Sequence, residues 1–372
     1  MDTQKTGAGT LLGLQYMRGI AALMVVLFHL KGRLPDNISQ FLINGRGGVD
    51  IFFVISGFII YFITQDSKEL NPKTFFIKRA FRILPLYWFV FIISIFLFFR
   101  HLDLTSVIKG FFLFHRNYQA PAPEFDISIV AVAWTLTYEL YFYVIFLLCS
   151  LLTKRFRGRV TSLALLSLPV IFQVYYNGKF SLSSTVSAHV SGNGFLSQAV
   201  HIVSNTMIYE FVIGIAFCKL YLFFRGKTLP IRVWRAFFVV ATILSFSIFF
   251  HDIKLWFGLH GRHSGNISSA FGFSGFMYMA VPFALMFIFY ELSEFKRNLS
   301  PLMFLGNISF SLYLCHWFVN RLFTDYMPDF NGTSSFFVVL VLSFLMAYAC
   351  HMFIERPGVK LIRRTHSGHV LN

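Results

Sequence analysis

Long apolar runs, separated by short clusters of Gly, Pro, Asn and charged residues, set the pattern of this chain. The runs fall near 12–30, 48–64, 83–99, 129–150, 160–176, 199–224, 235–251, 270–291, 303–321 and 334–354. Most reach the roughly 20 residues that a helix rising about 1.5 Å per residue needs to cross hydrocarbon. The second and fifth are shorter. RLPDN, QAPAPEFD, RGKTLPIR and MPDFNGT break the pattern with turn-forming residues. The reading is an all-α integral membrane protein of about ten transmembrane helices. It divides into a short N-terminal segment (1–11), a membrane domain (12–354) and a basic tail (355–372), with no extra soluble C-terminal domain. The first run reads as a retained span, because a second follows it and no small-residue cleavage site lies between. Leu84–Pro85 reads as the start of the third span, where proline is tolerated.

Composition agrees. Hydrophobic residues make up 56% of the 372, aromatic ones 19% and charged ones only 13%. Soluble domains carry about 45–50% apolar and about 25% charged residues. The formal charge of +16 invites a nucleic-acid reading, but its distribution argues against one. Of the 32 lysines and arginines, 20 lie in alternate connections and both ends, nine in the other connections, and Arg18, Lys219 and Arg321 within spans. That bias places both termini in the cytoplasm. Cys149, Cys218, Cys315 and Cys350 sit in or beside apolar runs without metal-ligand spacing, and no metal is expected.

Charged groups at membrane depth are functional suspects. Arg18 and His29 stand eleven residues apart in RGIAALMVVLFH, which puts them about 16 Å apart along a helix and only about 20° apart around it. The pair shares one face at different depths. His29, near the end of its span, has the proton affinity of a general base; alternatively Arg18 snorkels and His29 meets water. Asp50 opens the next span and Glu139 sits near the middle of the fourth, within WTLTYELYFY. Either acid could orient His29. In FFIKRAFRILPLYWF, Arg79 and Arg82 are neighbours on a helix with Lys78 beside them, a pattern that suits phosphate or simple positive-inside anchoring. Trp134, Tyr138, Tyr313 and His316 are candidate substrate-binding residues, although His316 could equally bond across to another helix.

Together these segments resemble the membrane-bound acyltransferase family 3, and among its members most of all the exopolysaccharide-production acyltransferases. LQYMRGIAALMVVLFH, GGVDIFFVISGFII, KRAFRILPLYW, WTLTYELYFY and GNISFSLYLCHW carry the resemblance, which covers about residues 10–355. It implies a ten-span enzyme that moves an acyl group, usually acetyl, from acetyl-CoA or another short acyl-CoA to a sugar hydroxyl at or across the membrane. By the family pattern Arg18 and His29 form the first-span motif, with the histidine essential. Arg79 and Arg82 serve the donor, and Glu139 is the span-four acid. Acceptor recognition would fall to the loops 31–47, 100–128, 177–198 and 252–269.

The expected partners are a saccharide acceptor, free or lipid-linked, membrane lipids, and further copies or polysaccharide-assembly proteins, but no nucleic acid. The expected location is the bacterial inner membrane. A glycan transporter or flippase is the competing reading, since it too would place charged groups inside the spans.

Overall fold

The computed structural model describes residues 11–65, 71–126, 129–192, 194–227, 229–250, 277–295, 299–358 and 360. Its main helices are α1 (Leu12–Leu30), α2 (Gly48–Thr64), α3 (Pro72–Phe98), α4 (Trp134–Leu152) and α5 (Arg157–Asn177). They are followed by α6 (Tyr209–Arg225), α7 (Ile231–Phe250), α8 (Met277–Leu292), α9 (Ser300–Tyr326) and α10 (Thr333–Cys350). Among the described residues nine helices are long and apolar enough to cross a membrane, and α8 adds a shorter apolar one. The chain is an integral membrane protein. The loop 252–269 and the first residues of the run 270–291 lie outside the described residues.

Contacts between helix ends show that neighbours in sequence run in opposite directions. At the near end, where α1 starts, the Leu299 N–H donates to Tyr16 Oη (2.9 Å) and an Arg157 Nη to the Thr64 carbonyl (2.9 Å). At the far end, Asn44 donates to the Phe249 carbonyl (2.9 Å) and Tyr326 Oη to that of Leu97 (2.6 Å). Helices α2 and α9 are largely enclosed, whereas α5, α7 and α10 turn Leu, Phe and Val faces outward, where lipid can cover them.

Two close approaches fix the centre. Gly57 of α2 lies against the Phe211 backbone of α6, and Gly214 of α6 lies reciprocally against the Val54 carbonyl. Gly306 of α9 abuts the Gln15 carbonyl of α1 in the same way. A side chain at any of these points would part the helices, which is why small residues serve membrane packing.

Polar side chains shift the boundaries that hydropathy suggests. Asn71 accepts from the Thr74 N–H (3.0 Å) and Pro72 occupies the first turn, so α3 begins near residue 72 rather than 83. Pro85 is therefore inside a 27-residue helix, not at its start. The run 199–224 is broken, because Asn205 caps a new turn by accepting from the Met207 N–H (2.9 Å). A short helix (Phe195–Val203) precedes that turn and α6 follows it. The fifth span, short in the hydropathy pattern, is a 21-residue helix. Residues 31–47 fold into 3₁₀ turns and a short helix against α1. At the chain's end α10 passes into a π-helical turn (His351–Glu355) that continues helically to residue 358.

Candidate active site

Among the described residues, two cavities gather the polar side chains of the bundle. The nearer one holds about 710 Å³ of space and brings Arg18 of α1, Ser56 of α2, Arg79 and Arg82 of α3, and Glu139 and Tyr143 of α4 to its wall. Apolar residues of α2 and α9 continue that wall as far as Tyr313 and, on α4, Thr135. Helical spacing explains the pairs: Arg79 and Arg82 are three residues apart, and Glu139 and Tyr143 four.

The electrostatics of this cavity are lopsided. Among the described residues no carboxylate stands within ion-pair distance of Arg18, Arg79 or Arg82. Arg18 donates to Gln15 Oε1 (3.0 Å), and the buried Arg79 Nε has no hydrogen-bond partner among the described residues. The Arg79 guanidinium rests over the rings of Phe75 and Tyr143, at 5.8 and 5.9 Å. Glu139 accepts from Ser56 Oγ (3.2 Å) and from Tyr143 Oη. Its charge reaches Arg18 and Arg79 at longer range, and that of Glu355 reaches Arg18. Glu355 in turn accepts from Ser311 Oγ (2.8 Å) and His351 Nδ1 (3.0 Å). A cluster of cations held so has spare capacity for an anion.

The far cavity holds about 630 Å³ and is lined by His29, Arg33, Asn320, Phe323, Thr324 and Asn331, among others. Amide and hydroxyl groups beside one aromatic ring suit a polyhydroxylated molecule. Arg33 ties the end of α1 to α9 and α10 through Asn320 Oδ1 (3.0 Å) and Ser335 Oγ (3.1 Å). His29 Nδ1 lies 3.0 Å from the Val25 carbonyl and 3.1 Å from Nε2 of His316, which is wholly buried. Its outer face is exposed to the far cavity.

Arg18, Arg79, Arg82, Glu139 and Tyr313 thus share the near cavity, while His29 borders the far one with His316 behind it. Other sequence candidates stand apart. Lys78 is exposed and lines neither cavity. Asp50 is buried at the start of α2, where its charge acts on Arg46, and it makes no hydrogen bond to His29; nor does Glu139. Trp134 and Tyr138 pack into the core around Phe53, with Tyr138 Oη donating to the Pro123 carbonyl (3.2 Å), and they border neither cavity. Tyr143, Ser56, Glu355 and Arg33 escaped the sequence reading. Only Tyr143 carried a signal, one turn beyond Glu139.

A loop braces the site from behind. Arg46 pairs with Glu124 (2.5 Å), and Glu124 offers its carbonyl to His115 Nδ1 (2.9 Å). His115 is buried, and burial pushes its proton affinity down to about 4.

A family description, acyltransferase domain, matches residues 11–352. The chain is 25% identical over 351 residues to the exopolysaccharide production protein ExoZ of Rhizobium meliloti, covering 93% of this chain and 97% of that protein. It is 25% identical over 378 residues to the O-acetyltransferase OatA of Staphylococcus aureus, covering 93% of this chain but 56% of that longer protein. The chain thus spans about half the length of OatA. No solved structure matches it. With the match running through nearly every described helix, the chain belongs to the acyltransferase family 3 and is an integral membrane acyltransferase of that family.

Proposed function

We propose that the protein transfers an acyl group, acetyl first among them, from acyl-coenzyme A to a hydroxyl of an exported or cell-surface saccharide. The observation that carries this reading is the near cavity, where Arg18, Arg79 and Arg82 stand without an ion-paired carboxylate among the described residues. Guanidinium forks match phosphate groups bidentately. The basic bias of the near-end connections supports a ten-span topology with both termini in the cytoplasm, which puts this cavity on the side where acyl-coenzyme A is made. The names of the relatives, one an exopolysaccharide production protein and one an O-acetyltransferase, support a glycan acceptor and an acetyl donor. Bacterial relatives support the plasma membrane as the location.

In this reading the phosphates rest among the arginines, and the thioester arm runs through the apolar part of the cavity toward Tyr313 and the histidines. The saccharide enters the far cavity. His29 removes the hydroxyl proton as the oxygen attacks the thioester carbon. The oxygen–acyl bond forms, the carbon–sulfur bond breaks, and His29 returns the proton to the departing sulfur, leaving an ester and a free thiol. Transfer is direct, without an acyl-enzyme.

The test is thiol release by the purified protein in liposomes given acetyl-coenzyme A and polysaccharide, with mass spectrometry of the saccharide. Thiol release coupled to an added acetyl mass is the expected result, and His29→Ala should lower it by about 10²–10⁴-fold. Movement of saccharide across the bilayer with no thiol released would instead establish a flippase.

A further inference from the structure

We infer that His316 is a positioning residue: as a second acceptor beside the Val25 carbonyl it orients the His29 ring and shares its Nδ1 proton, so that Nε2 is the nitrogen left to act as base. The inference rests on the acyl-transfer reading for its purpose, but on hydrogen-bond bookkeeping for its content. A carbonyl oxygen only accepts. His316 Nδ1 lies 3.0 Å from the Leu312 carbonyl, so that nitrogen carries a proton and donates it. In the neutral ring Nε2 of His316 is then an acceptor. It lies 3.1 Å from His29 Nδ1, which also faces the Val25 carbonyl at 3.0 Å. Both neighbours of His29 Nδ1 are acceptors, so it must be the donor. His29 Nε2 makes no hydrogen bond to the described residues and is left with its lone pair on a ring whose outer face is exposed to the far cavity.

The arrangement does the job a carboxylate usually does for a catalytic histidine, which is to fix tautomer and ring orientation. The surroundings favour a neutral partner. The positive charge of Arg46 acts on His29, and that arginine is already occupied by Glu124 and by the charge of Asp50. His316 has no solvent exposure, and its ring is bracketed by Tyr313 (centroids 6.1 Å apart) and His29 (5.1 Å). When His29 takes the hydroxyl proton on Nε2, the Nδ1 proton can shift toward His316 Nε2 and spread the new charge over two rings. Its return restores the starting state, so no proton is gained or lost over the cycle.

The test uses full-length protein with ¹⁵N-labelled histidine in detergent, the His29 ring being assigned by its absence from His29→Gln. The expected spectrum has His29 protonated at Nδ1 in the wild type and in His316→Gln, whose amide oxygen still accepts. In His316→Leu the Val25 carbonyl alone accepts from Nδ1, so the tautomer is kept, but the Nδ1 proton resonance should move upfield as the second acceptor is lost. Protonation of His29 at Nε2 in the wild type, or an Nδ1 proton resonance unchanged in His316→Leu, would overturn the inference. A parallel kinetic arm measures thiol release from acetyl-coenzyme A with polysaccharide acceptor. The kcat of His316→Leu is expected to fall on the order of 10²-fold with donor KM unchanged, and His316→Gln to recover at least roughly a tenth of wild-type kcat with an altered pH profile. Equal kcat in His316→Leu and wild type would also overturn it. If the wild type releases no thiol, the acyl-transfer reading fails, and the spectra still decide whether His316 shares the Nδ1 proton of His29.

Discussion

Tyr313 and His316 stand one turn apart on α9 and join the two cavities: Tyr313 lines the near one, while His316 bonds to His29 at the edge of the far one. Their ring centroids are 6.1 Å apart. Tyr313 is pinned by Thr135 Oγ1 (3.0 Å) and by the Val132 carbonyl (2.9 Å), and Phe52 packs against it edge-on. It is a fixed wall between the near cavity and the histidines.

A fixed wall limits what can pass beside it. Tyr313→Ala is expected to raise butyryl relative to acetyl transfer by roughly tenfold, the scale on which a pocket discriminates a small change in chain length. Tyr313→Phe, which keeps the ring and loses only the hydroxyl anchor, should leave the ratio near that of the wild type. Thiol release from a series of straight-chain acyl-coenzyme A donors measures both. An unchanged ratio in the alanine variant would show that the acyl group is sized elsewhere.

The arginines and their lysine neighbour should separate cleanly. Arg79 and Arg82 line the near cavity, and Lys78 is exposed. Removing one charge-assisted contact costs about 1.5–3 kcal/mol, so Arg79→Ala and Arg82→Ala should each weaken coenzyme A binding roughly ten- to a hundredfold. Lys78→Ala should change it by no more than about twofold, as a solvated charge does. Calorimetric titration of the detergent-solubilised protein with coenzyme A gives the three constants. Equal losses in all three variants would indicate general attraction at a basic surface rather than a built site.

Much of this was legible before the fold was known, and the gaps have physical causes. The runs 12–30 and 48–64 coincide with α1 and α2, because hydropathy changes abruptly at their edges. The edge of α3 moved because Asn71 caps it, and the run 199–224 split because Asn205 caps a new turn; a hydropathy average is blind to both. Arg18, Arg79, Arg82 and Glu139 stood out as charges in apolar helices. Trp134 and Tyr138 are four residues apart and share a face that packs into the core, whereas Glu139 is turned about 100° from Tyr138. Glu355 sat beside Arg356 and read as tail, and only the continued helix brings it under Ser311. The pairing of His29 with His316 joins residues 287 positions apart and depends on the close approach of α1 and α9.

His115 offers a test through stability. An unfolded histidine titrates near 6.5, whereas buried His115 is held down to about 4. Above about pH 6.5 neither state binds this proton, so the site adds no pH dependence. Below that, the unfolded chain takes up the proton first and is favoured, so stability falls as pH drops from about 6.5 toward 4. Between pH 7.5 and 5 the loss from this group is about 2 kcal/mol. His115→Asn keeps an amide donor for the Glu124 carbonyl but does not titrate. It should be the less stable protein at pH 7.5, with the difference narrowing by that amount at pH 5. Thermal unfolding in detergent at the two values checks it, and parallel losses in both proteins would remove His115 as the cause.

The reciprocal contact between α2 and α6 should be the least tolerant point of the bundle. Gly57 meets the Phe211 backbone and Gly214 the Val54 carbonyl, and backbone cannot swing aside as a side chain can. A Gly57→Val substitution must therefore push two helices apart. Overpacking of this kind costs about 1–3 kcal/mol. The displacement also reaches the site, because the adjacent Ser56 donates to Glu139 (3.2 Å) and lines the near cavity. Gly57→Val is expected to lower the melting temperature and to weaken coenzyme A binding together. Gly226→Ala is the control: its added methyl would meet only the Phe223 carbonyl at 3.7 Å, an ordinary contact, so both quantities should stay near wild type. Loss of stability in Gly57→Val with coenzyme A affinity intact would show that the α2–α6 contact supports the fold without setting the geometry of the cavity.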